Sequence, residues 1–153
     1  MKLRILSIGR DRSGLYQPAI EEYAGRISRI LKLELVELAE ARKHAGTPRA
    51  RDEEGEALLA RIDPRDRVVA LDERGDESTS AAFAQRVARW LQGGKDVALV
   101  VGGSDGLAPA VLARADERVA LSRMTLAHRL ARLVLAEQLY RALTILRGEP
   151  YHK

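Results

Sequence analysis

Polar and apolar residues alternate over residues 2–8, KLRILSI, before Gly9, and that period of two predicts a strand. From Gly14 to about Ile30 the rhythm becomes helical, carried by Leu15, Ile20, Tyr23, Ile27 and Ile30. Residues 32–38, KLELVEL, alternate again and predict a strand with one wet face at a sheet edge. The stretch ARKHAGTPRARDEEG then leads into a helix ending near Ile62, and its His44 is expected in solvent. A short apolar strand follows over Asp66–Leu71, and Ser78-Thr79-Ser80 caps a helix that runs to about Leu91 and stops at Gly93-Gly94. Residues 96–101, DVALVV, form the most apolar strand and therefore the most central one. Pro109 opens a short helix, RVAL at 118–121 forms a last strand, and a long helix runs from His128 to Leu146. Strands alternating with helices in units of about thirty residues predict an α/β fold. Its sheet should be mostly parallel, flanked by helices on both faces, in one domain over residues 1–153.

The last helix is unusual. Leu130, Leu133, Val134, Leu135, Leu139, Leu143, Ile145 and Leu146 cover most of its circumference, so it must be buried on more than one side. Its own sheet supplies one side, and a second subunit is the simplest source of the other, which predicts a homodimer. The few polar residues are placed in groups: Glu137 and Arg141 are four apart on one face beside Tyr140 and Thr144, while His128, Arg129 and Arg132 cluster at the start. Glu137 and Arg141 can be an ordinary ion pair or part of a reactive site. Gly148 and Pro150 end the helix, and Tyr151-His152-Lys153 closes the chain. Terminal residues of this kind ordinarily fray.

Charge changes the picture in one respect. From Leu121 onward there are six Lys or Arg and two acids, which equals the net charge of +4 carried by the whole chain. Such a basic tail suits a polyanion, or is merely a solvated helix face. Cysteine is absent, which removes disulfides, thiolate metal sites and cysteine nucleophiles and fits a reducing, cytoplasmic location. The start of the chain has too short an apolar run for a signal peptide, and no stretch is long enough to span a membrane.

Ligands in parallel sheets bind beyond the carboxyl ends of the strands. Three loops qualify here: the one after Leu71, the one at Gly102–Gly106, and the one at Leu121–Leu126. Gly102 and Gly103 lack a Cβ and would let main chain approach a ligand. GGSDG matches neither the dinucleotide fingerprint nor a hydrolase elbow, and no GK[ST] follows a glycine loop. The three histidines are dispersed, so no metal site is expected.

These loops and the tail also carry a specific pattern. Leu71-Asp72, VGGSDGL at Val101–Leu107, LSRMTLAH at Leu121–His128, LAEQLYRA at Leu135–Ala142 and the closing PYHK resemble the RlmH (YbeA-like) group, bacterial ribosomal RNA methyltransferases of the SPOUT superfamily. The resemblance runs over the whole chain. It departs at Gly75-Asp76, where relatives commonly have Gly-Lys, and at Ala127, where many have Pro. It implies a C-terminal trefoil knot, which general topology rules would not suggest. It also implies a homodimer, S-adenosyl-L-methionine as methyl donor, and N3 of a pseudouridine of 23S ribosomal RNA in the assembled ribosome as acceptor. By position it implies a donor pocket of Leu71, Gly102, Leu121, Ser122, Arg123, Met124, Thr125 and Leu126.

Methyl transfer from a sulfonium is an in-line displacement, so alignment matters most, and the acceptor imide must also lose a proton. The titratable candidates are His152, His128 and Glu137, with His152 favoured because a mobile tail could close over the site. Tyr151 would stack on a base, Arg129, Arg132 and Arg141 would hold phosphates or a uracil carbonyl, and Lys153 would contact RNA or donor. The alternatives are the same chemistry on another RNA nucleoside, or a non-catalytic RNA-binding or ribosome-assembly factor using the basic tail alone.

Overall fold

The computed structural model describes all residues from Met1 to Lys153. Five strands, β1 (Leu3–Ile8), β2 (Leu33–Leu38), β3 (Arg67–Asp76), β4 (Val97–Val101) and β5 (Glu117–Val119), form one sheet in the order β2-β1-β4-β3-β5. Every pairing is parallel. Five helices connect and follow them: α1 (Gln17–Ser28), α2 (Pro48–Leu59), α3 (Ser80–Gln92), α4 (Pro109–Arg114) and α5 (His128–Leu146).

β4 is the middle strand and every residue in it is buried, as its composition predicts. Its alternation sorts side chains between two cores. Val97, Leu99 and Val101 meet Ile27 of α1, Phe83 and Trp90 of α3, and Leu135 and Leu139 of α5. Ala98 and Val100 turn to the other face, against Leu58 of α2 and Val111 of α4. Burying each such side chain contributes roughly 1.5–3 kcal/mol, which makes this two-sided packing the main source of stability.

Several boundaries differ from the sequence reading, each for a local reason. α1 begins at Gln17 rather than Gly14, because the Asp11 carboxylate accepts the N–H groups of Tyr16 and Gln17, at 2.7 and 2.9 Å, and holds the preceding residues as a loop. β2 does lie at the edge, but it has no wet face: all six residues are half-buried, and Glu34 takes an ion pair from Lys2 at 3.0 Å. His44 sits half-buried in a short 3-10 turn, Arg42–His44, rather than in open solvent. α2 stops at Leu59, short of Ile62.

The largest difference is in β3. Its polar end, Asp72–Asp76, continues as strand through a register shift and pairs Asp76 with Val119 of β5. Gly75 permits this, since a Cβ there would lie 2.7 Å from the Arg118 carbonyl carbon and the Val119 nitrogen. The expected loop after Leu71 is therefore a strand extension that forms one wall of the site.

Candidate active site

All strands point the same way, so the segments leaving β4, β3 and β5 converge on one edge of the sheet. Between them lies a cavity of about 890 Å³. Leu71, Gly102, Leu121, Ser122, Met124, Thr125 and Leu126, all expected in the donor pocket, line it. Arg123 does not: its guanidinium turns outward to Glu77 at 2.5 Å and is largely exposed. The loop after β5 is fastened to the β3 extension by Thr125, whose hydroxyl donates to Glu73 at 2.6 Å, and it is braced internally by Met124 N–H to Ser122 Oγ at 2.9 Å.

Gly102 has a different task from the one its type suggests. A Cβ there would fall 2.6 Å from the carbonyl carbon of Gly106, so its bareness serves the closure of the glycine loop upon itself. The loop is pinned by the Gly106 N–H donating to the Gly103 carbonyl at 3.1 Å, and Gly106 adopts φ +75°. The result is a rigid wall of main-chain groups facing the cavity. Sequence reasoning missed Arg51, Asp105 and Arg118 on the same walls. Asp105 stands within the quoted glycine motif, whereas nothing in the local pattern marks Arg51.

His128 opens α5 and lines the cavity. Its Nε2 has no hydrogen-bond partner and lies 4.0 Å from Glu40. Burial, reinforced by the positive charges of Arg132 and Arg129, holds its pKa below the ordinary imidazole value, against a smaller opposing pull from Glu40. The ring is thus kept neutral and able to accept a proton.

Arg132 corrects an expectation. It is only 4% exposed, its guanidinium donates to the Ile8 carbonyl, and burial lowers its proton affinity. It therefore secures the end of β1 to α5 and does not meet phosphates at the surface. Arg129 stays half-exposed, donating to the Arg10 carbonyl at 3.2 Å and to Glu40 at 3.4 Å.

The remaining candidates gather elsewhere. Glu137 and Arg141 do form the i,i+4 ion pair, with both Nε and Nη2 of Arg141 on Glu137 Oε1 at 3.0 and 2.7 Å. The tail folds back on this pair instead of fraying. The Tyr151 hydroxyl donates to the same Glu137 oxygen at 3.0 Å, and its ring packs edge-on against Tyr140 and under the Arg141 guanidinium. Burial and the hydrogen bonds to Tyr23 and Glu137 push the Tyr151 phenol above its usual range, so it remains protonated. Arg141 Nη1 stands 3.1 Å from Nδ1 of His152, and because arginine can only donate, that nitrogen is an acceptor and the proton sits on Nε2. Lys153 ends the chain in solvent. Thirteen residues of helix separate His128 from Arg141, a distance of roughly 20 Å. Glu137, Arg141, Tyr151 and His152 consequently lie off the cavity of their own chain.

A parallel five-stranded α/β sheet with a cavity at the carboxyl edge, closed by a glycine loop and by the segment leading into a C-terminal helix, matches one family in full. Residues 1–152 fit the family model described as "Predicted SPOUT methyltransferase", and the chain belongs to that family. Among its relatives, a protein of Anaeromyxobacter sp. (strain Fw109-5) named Ribosomal RNA large subunit methyltransferase H is 74% identical over the full length of both chains. One of the same name from Chromohalobacter salexigens is 43% identical, again over both full lengths. In three dimensions a probable methylase family protein from Haemophilus influenzae Rd KW20 superposes with a TM-score of 0.57 at 15% identity, covering 99% of this chain and 70% of that one, a likeness in fold.

Proposed function

We propose that this methyltransferase uses S-adenosyl-L-methionine to methylate N3 of a pseudouridine in 23S ribosomal RNA, within the assembled ribosome and as a homodimer. The observation that carries this reading is the cavity where the ends of β4, β3 and β5 meet, in a chain whose full-length relatives are named for the large-subunit RNA. A cytoplasmic site of action follows from such a substrate, and no helix of the fold is long and apolar enough to cross a membrane.

The residues present suit the donor. Leu71, Val101, Leu107 and Leu126 give apolar walls for an adenine, and main-chain groups of the glycine loop and of residues 121–126 are available to read its edges. Asp72, Glu73 and Asp105 place negative charge around a cationic sulfonium, and Arg51 or Arg118 can meet a carboxylate. When bound, the donor supplies the electrophilic methyl group. His128 then takes the acceptor's proton, since the residue lies on the cavity wall and burial keeps its ring neutral. His152 is less suited, with Nδ1 already engaged by Arg141.

The homodimer reading draws on α5. Leu130, Leu133, Val134 and Leu146 stay half-buried after their own sheet has been covered, and a second copy would finish their burial. The Tyr151–His152–Arg141 cluster, remote from its own cavity, would then be free to complete that of the partner. The test is to incubate the protein with labelled donor and ribosomes, separate subunits or free RNA, and to map the product by mass spectrometry. Methylation confined to a pseudouridine N3 of ribosomes is expected; absence of label in every RNA would refute the proposal.

A further inference from the structure

Counting along the chain, the first 120 residues carry as many acids as bases, but the fold does not distribute them evenly in space. Two loops leave the sheet side by side at the ends of β1 and β2, where the Gly9 N–H donates to the Leu38 carbonyl at 2.7 Å. One spans residues 10–16 and the other residues 39–47. Together they hold Arg10, Arg12, Arg42 and Lys43 against Asp11 and Glu40.

Both acids are already engaged by neighbouring groups, although Glu40 stays exposed. Asp11 accepts from Ser13 Oγ at 2.5 Å as well as from the Tyr16 and Gln17 N–H groups, which together hold its carboxyl at about 2, so it remains a charged internal brace. Glu40 is met by Arg129 at 3.4 Å and His128 at 4.0 Å, and it sits directly over Gly9. The four cations, by contrast, are exposed, and none forms an ion pair or a side-chain hydrogen bond. What is left unpaired at this surface is therefore a small shelf of free positive charge. It adjoins the cavity, because His128, which touches Glu40, is also on the cavity wall.

We infer that this shelf, formed by Arg10, Arg12, Arg42 and Lys43, is the surface on which the sugar-phosphate backbone of the substrate RNA rests beside the target nucleoside. The inference deepens the proposed function and rests on it for the identity of the RNA. An acidic protein partner would also answer the charge, but protein interfaces are anchored by a buried apolar core. The only large apolar side chain exposed on these loops is Leu15, 75% exposed at the tip of the first. Arginines presented on a loop braced by its own aspartate match phosphates at little ordering cost.

The experiment replaces all four cations in the full chain (Arg10→Ala, Arg12→Ala, Arg42→Ala, Lys43→Ala) and measures binding to ribosomes across a salt series. With about 0.7–0.9 counterions released per phosphate contact, the slope of log affinity against log salt should flatten by about three. Ribosome affinity at physiological salt should fall at least about tenfold, while melting temperature and S-adenosyl-L-methionine binding stay as in the parent. An unchanged slope and affinity would overturn the inference. A photo-crosslinker at Leu15 provides the second arm: adducts to ribosomal RNA are expected, and adducts solely to a ribosomal protein would assign the shelf to another partner and overturn it as well. Because binding is read without turnover, a parent that binds ribosomes through these cations yet methylates nothing would sink the proposed activity and leave the shelf standing.

Discussion

Replacing Gly102 with alanine tests whether the glycine loop is a self-closing wall. The added Cβ would sit 2.6 Å from the Gly106 carbonyl carbon and 2.7 Å from its oxygen, about 0.8 Å inside the 3.4 Å at which ordinary contact begins. Both parties are main chain, so no flexible side chain can absorb the conflict, and the loop itself must move. Forced overpacking of this kind costs about 1–3 kcal/mol. For a chain of this length each kcal/mol corresponds to roughly 2–4 °C, so the melting temperature should fall by about 2–12 °C while the protein stays folded at 25 °C. Donor affinity should suffer more visibly, because the displaced segment is a cavity wall: a loss of about ten- to a hundredfold by calorimetry corresponds to about 1.4–2.8 kcal/mol. Gly25→Ala is the control, since nothing lies within 4 Å of its Cβ position and it occupies the middle of α1. That variant should gain about 0.5–1 kcal/mol and bind donor as the parent does. If Gly102→Ala melts and binds like the parent, the account of the loop is wrong.

Three further outcomes follow from the charged groups. His128 has its pKa below the ordinary 6.5, so it is neutral in the native state where an unfolded chain would already bind a proton; stability therefore declines as pH falls from 6.5 through the native value and is fully present above it. The acid limb of kcat/KM should accordingly lie below pH 6.5 and should vanish in His128→Gln, whose residual activity should be pH-independent there; an unaltered profile would exclude His128 as proton acceptor. Glu54 shows the opposite sign: it is 7% exposed, keeps Oε1 on the Ala41 N–H at 3.1 Å, leaves Oε2 unpartnered, and burial raises its pKa above 4.5. Its native state holds the proton longer, so stability is lost as pH rises through that raised value, and Glu54→Gln should be the more stable protein by about 1 kcal/mol at pH 8, with the gap closing toward pH 4 in chemical denaturation. Glu137→Gln weakens the Arg141 pair and the Tyr151 hydrogen bond together, which should cost about 1–2 kcal/mol and expose the tail to carboxypeptidase; a tail that stays resistant would show that aromatic packing on Tyr140 alone retains it.

Much of this architecture was legible from residue order. Period-two runs located β1 and β2, and the unbroken apolar run of β4 identified the central strand, because only a strand covered on both faces tolerates such composition. The carboxyl-edge rule selected the loops that line the cavity. What failed to show were features decided by partners distant in sequence. Asp72–Asp76 has a loop's composition, yet β5 arrives beside it and Gly75 admits the approach. Arg132 looks like a surface cation, and only the position of the Ile8 carbonyl makes it an interior donor. The last three residues carry no periodicity at all, so the anchorage of Tyr151 on Glu137 and Tyr140 had no local sign. Linear charge counting likewise hid the basic shelf, since it cannot register that Asp11 and Glu40 are already taken up by neighbouring groups.

The separation between the cavity and the tail cluster has a genetic consequence in the proposed homodimer. Two inactive variants, one damaged at Gly102 and the other at His152, should rescue each other when co-expressed. Random pairing makes half the dimers mixed, and each mixed dimer would carry one intact composite site, so about a quarter of the normal activity should return from two dead parents.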